Sequence, residues 1–340
     1  MSLSTLTWLL AFVLSLVVVL AASDRLVNAV EAAGDRYQWP PGLIGLLAAA
    51  GADGPEVSSA LIALLAGAHD VSLGVIVGSN LFNLAALLGL PILVVGRVAV
   101  QHHGLLVSGS AMLLTTALGI LLLLGDTPVA YVEALVVATL LGYAVLLVRA
   151  RDVATVPSPS IQQGVLPEAG DVDTEERARE READREQNFP AGLRLLLVGV
   201  LATAVVIGGC DVLVNAALFL AKRVGIPQTL TGTFGLAALT SLPNVWVALS
   251  LARRHRGAVL VSAVCNSNTI NMVFGICLLA AFTPLQPAAI VRQVDLPALL
   301  ALTLLSLVLV WQGRGLGRGG AVLLILAYAG FVAARLVASA

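Results

Sequence analysis

The sequence predicts an all-α polytopic membrane protein, with ten transmembrane helices arranged as two inverted five-helix repeats that are broken at the midplane. Three observations predict this fold class: the composition, the long apolar runs, and a polar pattern that recurs halfway along the chain. The 340 residues are 59% hydrophobic and only 11% charged, which is too little charge to cover the surface of a soluble domain.

Apolar runs near 20 residues recur along the whole chain, and about 20 residues of α-helix cross the ~30 Å hydrocarbon core of a bilayer. These runs are solidly apolar, whereas the strands of a membrane β-barrel alternate between polar and apolar residues. The predicted spans are roughly 5–33, 41–66, 70–96, 104–124, 128–149, 190–221, 227–252, 257–283, 293–312 and 319–338.

The segment 150–189 separates the two groups of five spans. It contains Glu175-Glu176-Arg177-Ala178-Arg179-Glu180-Arg181-Glu182 and almost nothing apolar. We interpret it as a solvated charged linker rather than a regulatory ion sensor. The predicted organisation is therefore a first five-helix repeat at 1–149, the linker, and a second, inverted five-helix repeat at 190–340. The run 3–22 lacks a basic n-region and is predicted to be a retained helix rather than a signal peptide.

Basic residues predict the orientation of the chain, because loops on the cytoplasmic side carry an excess of Lys and Arg. Without the linker, ten Arg fall at one face of the predicted bundle and four Lys or Arg at the other. We therefore expect the N-terminus outside and the linker in the cytoplasm. The short loops suit a prokaryotic plasma membrane, and the net charge of −1 indicates no nucleic-acid partner. No obligatory protein partner is evident; the expected partners are inorganic cations and the lipid bilayer.

A polar pattern in the first half recurs in the second. The offset is 187 residues for the first matching segment and 188 for the next two. Since each half has an odd number of spans, the second copy must enter the membrane upside down, as in many secondary transporters. The matching pairs are Asp24–Ala29 with Asp211–Ala216, Pro55 with Pro243, and Ser79–Asn83 with Ser267–Asn271.

Two polar stretches interrupt the apolar pattern of each half, at 51–56, 78–83, 239–244 and 266–271. Pro removes a backbone donor and clashes with the preceding turn, so Pro55 and Pro243 are expected to break their helices. Broken helices expose carbonyl oxygens, which bind hard cations together with carboxylate, amide and hydroxyl oxygens. No His or Cys lies close to Asp53 or Glu56 in the sequence, which argues against zinc or copper.

Asp53 and Glu56 are the acids of these stretches. An ionised carboxylate at the bilayer centre costs at least ~2.5–3.5 kcal/mol and needs a partner. No Lys or Arg is predicted at the same depth, so a bound cation or a proton is the expected partner. The alternative is that the polar side chains only join helix to helix.

The motif Gly-x-x-x-Pro-Glu at 51–56, followed by Gly-Ser-Asn-x-Phe-Asn at 78–83, resembles the α-repeat of the sodium/calcium exchanger family. The resemblance covers roughly 21–97 and 208–283. It implies a secondary antiporter, not an enzyme, that exchanges Ca²⁺ against Na⁺ by alternating access at one central pocket, with the first and sixth spans sliding. No resident cofactor is implied; Ca²⁺ and Na⁺, or H⁺, would be bound only as transported ions.

Carried over by position, the resemblance implies that Glu56 is the principal calcium ligand and that Asn80 and Asn268 hold the helix breaks. The full candidate set for the cation site is Asp53, Glu56, Ser79, Asn83, Thr240, Ser241, Asn244, Ser267 and Asn271.

The chain departs from the family pattern at several positions. Asn244 stands where the family usually has Glu, Ala52-Asp53 where it usually has Thr-Ser, and Asn266 where it has Gly. Asp53 and Glu56 together would neutralise one Ca²⁺, so we expect fewer counter-ions than in the usual exchangers, or protons instead. If Asp53 points away from the pocket, one carboxylate remains and a monovalent cation becomes plausible.

Other functions stay open at this point. One alternative is a proton-coupled or monovalent cation exchanger of the same fold, and another is a non-transporting relative, because Asn244 removes a usual ligand. An intramembrane enzyme is disfavoured, since no His or Lys lies near Asp53 or Glu56 in the sequence.

Overall fold

The computed structural model describes residues 3–37, 47, 49–100, 102–125, 128–149, 189–313 and 315–338. The predicted linker lies outside the described residues up to position 188, and so do residues 41–46 at the start of the predicted second span. The described part of the chain is nearly all helical, which confirms the predicted fold class.

The first half holds six helices whose bounds the structure gives, a helical stretch at 49–52 that ends at the break, and one strand. A π-helical segment, Asn83–Leu87, joins two of the helices into one long helix over 69–95. The elements are α1 Leu3–Arg36, α2 Gly54–Leu65, α3 His69–Phe82, α4 Leu88–Val95, β1 Arg97–Ala99, α5 His102–Leu124 and α6 Val129–Arg149.

The second half holds eight described helices, one strand and three π-helical segments, which are Thr231–Leu236, Val273–Cys277 and Val291–Asp295. The helices and the strand are α7 Phe189–Val224, α8 Gln228–Leu230, α9 Ala237–Thr240, α10 Leu242–Arg253, α11 Gly257–Met272, α12 Leu278–Phe282, α13 Leu296–Gln312, β2 Gly315–Gly317 and α14 Arg318–Val337.

Eight helices of the described residues are long and apolar enough to cross a membrane. The predicted second and seventh spans are not among them, because each is interrupted near its middle. The apolar helix α2 has only 12 residues, and the seventh span is divided at Ser241. The count of ten spanning helices therefore stays a prediction.

Both interruptions have the same backbone geometry. Asp53 has φ −85° and ψ 2°, and Ser241, which lies 188 residues later, has φ −82° and ψ −3°. Pro55 and Pro243 follow in the first turns of α2 and α10, where a missing N–H breaks no intrahelical hydrogen bond. The expected helix breaks are confirmed, and they fall two residues before each proline.

The helices α1 and α7 pack against each other in antiparallel directions. Trp8, near the start of α1, stacks on Phe219 near the end of α7, with ring centroids 5.3 Å apart. Further along, Val19 lies so close to Gly209 that a Cβ there would come within 2.6 Å of it. These are the first helices of the two repeats, and their opposite directions are what inverted repeats require.

The long helix over 69–95 and its counterpart over 257–282 form the centre of the bundle. In these two helices, 94% and 83% of a membrane-length stretch is buried, against 17% in α1 and 28% in α7. The polar stretches predicted for the site lie on the central helices and on the interrupted ones. The site is therefore enclosed, while α1 and α7 form an outer layer.

Three connections lie together at one face of the bundle. β1 pairs with β2 in an antiparallel sheet, which joins the connection after α4 to the connection after α13. At the start of α11, Gly257 packs directly on Val98 and Ala99 of β1. Three alternate connections thus share a face, as the predicted topology requires, and the assignment of that face to the cytoplasm stays a prediction.

A buried ion pair fastens the last helix to the start of α13. Arg335 Nε lies 2.8 Å from Asp295 Oδ1, and both side chains are fully buried. Arg335 is one of the four basic residues that the sequence predicts at the face opposite the linker. The sequence does contain an indication of such a pair, because ionisable residues within membrane spans face the bundle interior and pair with one another.

Gly78 on α3 should tolerate no side chain, because a Cβ there would overlap the Thr233 carbonyl oxygen. We expect Gly78→Ala to lower the free energy of unfolding by roughly 1–3 kcal/mol through overpacking. The melting temperature of the purified protein, measured by intrinsic fluorescence, should fall accordingly. The control is Gly142→Ala, also helical, where a Cβ meets nothing within 4 Å and Ala favours the helix. Equal melting temperatures for the two variants would contradict this packing.

Arg335→Met should destabilise the fold by roughly 3–5 kcal/mol, because it leaves the Asp295 carboxylate buried without its positive partner. The double variant Asp295→Leu with Arg335→Met removes both charges and should recover most of the lost stability. Thermal unfolding of the two purified variants makes the comparison. If the double variant melts no higher than the single one, the lost stability does not come from leaving Asp295 without its positive partner.

Candidate cation site

Asp53 and Glu56 lie on one side of the first turn of α2, three residues apart, and both are buried. The N-terminus of a helix carries a partial positive charge, which favours carboxylates there. Asp53 is the N-cap residue, yet its side chain makes no hydrogen bond to the turn that it precedes. Its carboxylate is directed instead toward the second repeat.

The hydrogen-bond donors for both carboxylates come from the second repeat. Ser241 Oγ donates to Glu56 Oε1 at 2.8 Å. Asp53 Oδ1 accepts from Asn244 Nδ2 at 3.0 Å and from Ser267 Oγ at 2.7 Å. Asp53 thus faces the same cluster as Glu56, and the alternative orientation, turned away from the pocket, is not the one in the structure.

These contacts are related by the repeat. Adding 188 to the number of Asp53 gives Ser241, and adding it to Glu56 gives Asn244. The repeat operation therefore exchanges the Ser241–Glu56 contact with the Asp53–Asn244 contact. The geometry of the two halves is preserved, but both acids belong to the first repeat and both neutral donors to the second.

The central helices supply the rest of the candidate set. Ser79 and Asn83 lie one turn apart in the first repeat, as Ser267 and Asn271 do in the second, so each pair shares a helix face. Asn83 Nδ2 donates to Ser267 Oγ at 2.9 Å, and this links Asn83 to Asp53 through the serine. Ser79 and Asn271 are fully buried beside this chain of contacts.

Asn80 and Asn268 do not hold helix breaks, because α3 and α11 run through both positions without interruption. Instead, Asn80 Nδ2 donates to the Asn268 carbonyl oxygen at 3.5 Å, and Asn268 Nδ2 donates to the Asn80 carbonyl oxygen at 3.2 Å. This reciprocal pair joins the two repeats at their centre. The expected role was wrong, because both side chains reach across to the other repeat.

Thr240 is buried beside the break in the second repeat. Its hydroxyl donates to the carbonyl oxygens of Leu236 and Ala237, at 3.0 and 3.3 Å. The hydroxyl is thus turned toward its own helix. Its role as an oxygen ligand stays a prediction.

Sequence reasoning noted Asn266 only as a departure from Gly and missed its contact. The hydroxyl of Tyr143 on α6 donates to Asn266 Oδ1. Nothing in the local pattern of α6 pairs these two residues, which are 123 positions apart.

Among the buried atoms of the candidate set that have no partner, acceptors outnumber donors. Buried polar atoms in proteins almost always have a partner, and leaving one without a partner costs about 1–3 kcal/mol. Five oxygens of the candidate set are buried without a partner in the structure, against one amide nitrogen, Asn271 Nδ2. The oxygens are Asp53 Oδ2, Glu56 Oε2, Ser79 Oγ, Asn83 Oδ1 and Asn271 Oδ1.

A cation would satisfy these oxygens, because hard cations bind carboxylate, amide and hydroxyl oxygens. Within the part of the chain that the structure describes, no group of three or more His, Cys, Asp or Glu is placed to hold a metal ion. A cation here would therefore rest on two carboxylates and a larger number of neutral oxygens.

Comparison with known proteins places both halves of the chain in one family. The family described as sodium/calcium exchanger protein matches residues 7–150 and 194–337. The sodium/calcium exchanger MaX1 of Methanosarcina acetivorans is 32% identical over 133 residues, which cover 39% of this chain and 38% of that exchanger.

Two solved structures share the fold. The sodium-calcium exchanger NCX_Mj has a TM-score of 0.63 at 20% identity, over 97% of this chain and 99% of its own. The H⁺/Ca²⁺ exchanger CAX has a TM-score of 0.71 at 16% identity, over 98% of this chain and 86% of its own.

Proposed function

This chain belongs to the sodium/calcium exchanger family, and we propose that it exchanges Ca²⁺ against Na⁺ by alternating access at the site between its two repeats. The relatives are secondary transporters of inorganic cations, so the protein is an integral membrane transporter rather than an enzyme. The observation that carries the proposal is the excess of buried, unpartnered oxygens around Asp53 and Glu56.

The chemistry of these oxygens favours Ca²⁺ over softer metals. Ca²⁺ takes about six to eight oxygen ligands in a flexible geometry, and two carboxylates balance its charge. The neutral oxygens come from both repeats, from Ser79 and Asn83 on one side and from Ser241, Ser267 and Asn271 on the other. A cation held by both repeats would be released toward one face or the other as the repeats move.

Exchange follows if Ca²⁺ and Na⁺ use the same carboxylate oxygens, because occupancy by one ion then excludes the other. We assign the movement that exposes the site at one face and then the other to α1 and α7. They pack on each other and are mostly exposed, whereas the central helices are almost fully buried. Sliding of this outer pair past a fixed core would uncover the site alternately at the two faces.

Proton coupling is the second candidate. Both carboxylates are buried, and each keeps one oxygen without a partner. Either oxygen could carry a proton when the cation leaves, which would neutralise the buried charge without Na⁺. The experiment below separates the two counter-ions.

Purified protein in proteoliposomes should take up ⁴⁵Ca²⁺ when an outward Na⁺ gradient is imposed, and a pH gradient alone should drive much less uptake. Glu56→Gln should reduce uptake at least about 100-fold, because it removes a buried charge that the cation requires; losing a buried charged partner costs roughly 3–5 kcal/mol. Uptake driven only by the pH gradient would make proton exchange the function.

The matched control is Asp211→Asn, another carboxylate-to-amide change. Asp211 is exposed and accepts a hydrogen bond from Asn215 in its own helix, so transport should persist. If wild-type protein moves no Ca²⁺ under either gradient, the protein is a non-transporting relative or carries another cation.

The two carboxylates also predict the stoichiometry. Asp53 and Glu56 can balance one Ca²⁺ or two Na⁺, so exchange should move no net charge. We therefore expect an imposed membrane potential to leave the equilibrium Ca²⁺ distribution unchanged and the reversal condition to follow two Na⁺ per Ca²⁺. A voltage-dependent reversal that fits three Na⁺ per Ca²⁺ would exclude this account while leaving Na⁺/Ca²⁺ exchange intact.

A further inference from the structure

Position 266 breaks the symmetry of the repeats at the edge of the site. Its counterpart, 188 residues earlier, is Gly78, where the Thr233 carbonyl oxygen fills the space that a side chain would need. In the second repeat an amide side chain stands there instead. It directly precedes Ser267, which donates to Asp53.

The amide of Asn266 is held by a residue from α6. Most of α6 faces outward, but Val132, Val136 and Tyr143 form a buried stripe at helical spacing. At the end of this stripe the Tyr143 hydroxyl donates to Asn266 Oδ1. Tyr143 is only 3% exposed, so this contact lies inside the bundle.

Asn266 lies where the site is least buried. Asn244 and Asn266 are each 9% exposed and Ser267 is 5% exposed, whereas Asp53 and Glu56 are at 1% and 0%. The three more exposed side chains all belong to the second repeat.

An Asn side chain offers one oxygen, which binds cations, and an NH₂ group, which does not. The hydrogen bond from Tyr143 directs this oxygen toward α6 and fixes the orientation of the amide. If the tyrosine hydroxyl were absent, the amide could turn and add its oxygen to the ligands of the ion.

We propose that Tyr143 is a positioning residue for transport: it holds the Asn266 oxygen out of the cation's ligand set, which weakens cation binding and speeds release. This inference rests on the proposed cation exchange. It requires that Tyr143 act through Asn266 and through no other residue.

The test measures KM and kcat for Ca²⁺ uptake into proteoliposomes. Tyr143→Phe should lower both KM and kcat about fivefold, the scale of one hydrogen-bond-strength interaction gained by the bound ion. Asn266→Gly removes the amide and should not lower KM. In the Asn266→Gly background, Tyr143→Phe should have no further effect. Tyr131→Phe, on the exposed face of the same helix, should match the wild type.

Three outcomes would overturn the proposal. In the first, Tyr143→Phe leaves KM unchanged. In the second, Tyr143→Phe lowers kcat only to the extent that it also lowers the melting temperature, which is the result expected if Tyr143 merely stabilised the fold. In the third, its effect on KM persists in the Asn266→Gly background. Failure of the proposed function is distinguishable, because the wild-type protein itself would then take up no Ca²⁺.

Discussion

Two carboxylates buried at the middle of the bundle govern how the helices around them are arranged. Asp53 and Glu56 are 1% and 0% exposed, and an unpaired buried charge is far more costly than a neutral polar group. The helix break at Asp53 places the positive end of α2 beside both acids. Donors from α10 and α11 satisfy these acids only in part, and five buried oxygens of the candidate set stay without a partner.

The inverted repeat supplies those donors in the right places. Because the two halves share one backbone plan, the break at Ser241 lies opposite the break at Asp53, and each acid meets the counterpart of the other. The reciprocal pair of Asn80 and Asn268 holds the central helices together at this level. The backbone of the site is therefore symmetric, but its charge is not, because the acids come from the first repeat and the neutral donors from the second.

The division into a buried centre and an outer layer follows from the same constraint. Helices that carry the site must exclude lipid from its polar groups, so the stretches over 69–95 and 257–282 are enclosed, whereas α1 and α7 keep broad apolar faces outward. At the periphery, the buried pair of Asp295 and Arg335 fixes the α13–α14 hairpin. Asn244 and Asn266 are the most exposed side chains of the site, at 9% each.

The sequence by itself determined the fold class, the repeat register, the helix breaks near Pro55 and Pro243, and the residue types of the site, because apolar length, proline geometry and internal similarity are local properties. Only the tertiary structure decided that Asp53 faces the site, that Asn80 and Asn268 bind each other, and that Asp295 pairs with Arg335. It also decided the contact of Tyr143 with Asn266. Such contacts join residues far apart in the chain, and they depend on how whole helices pack, which no local pattern encodes.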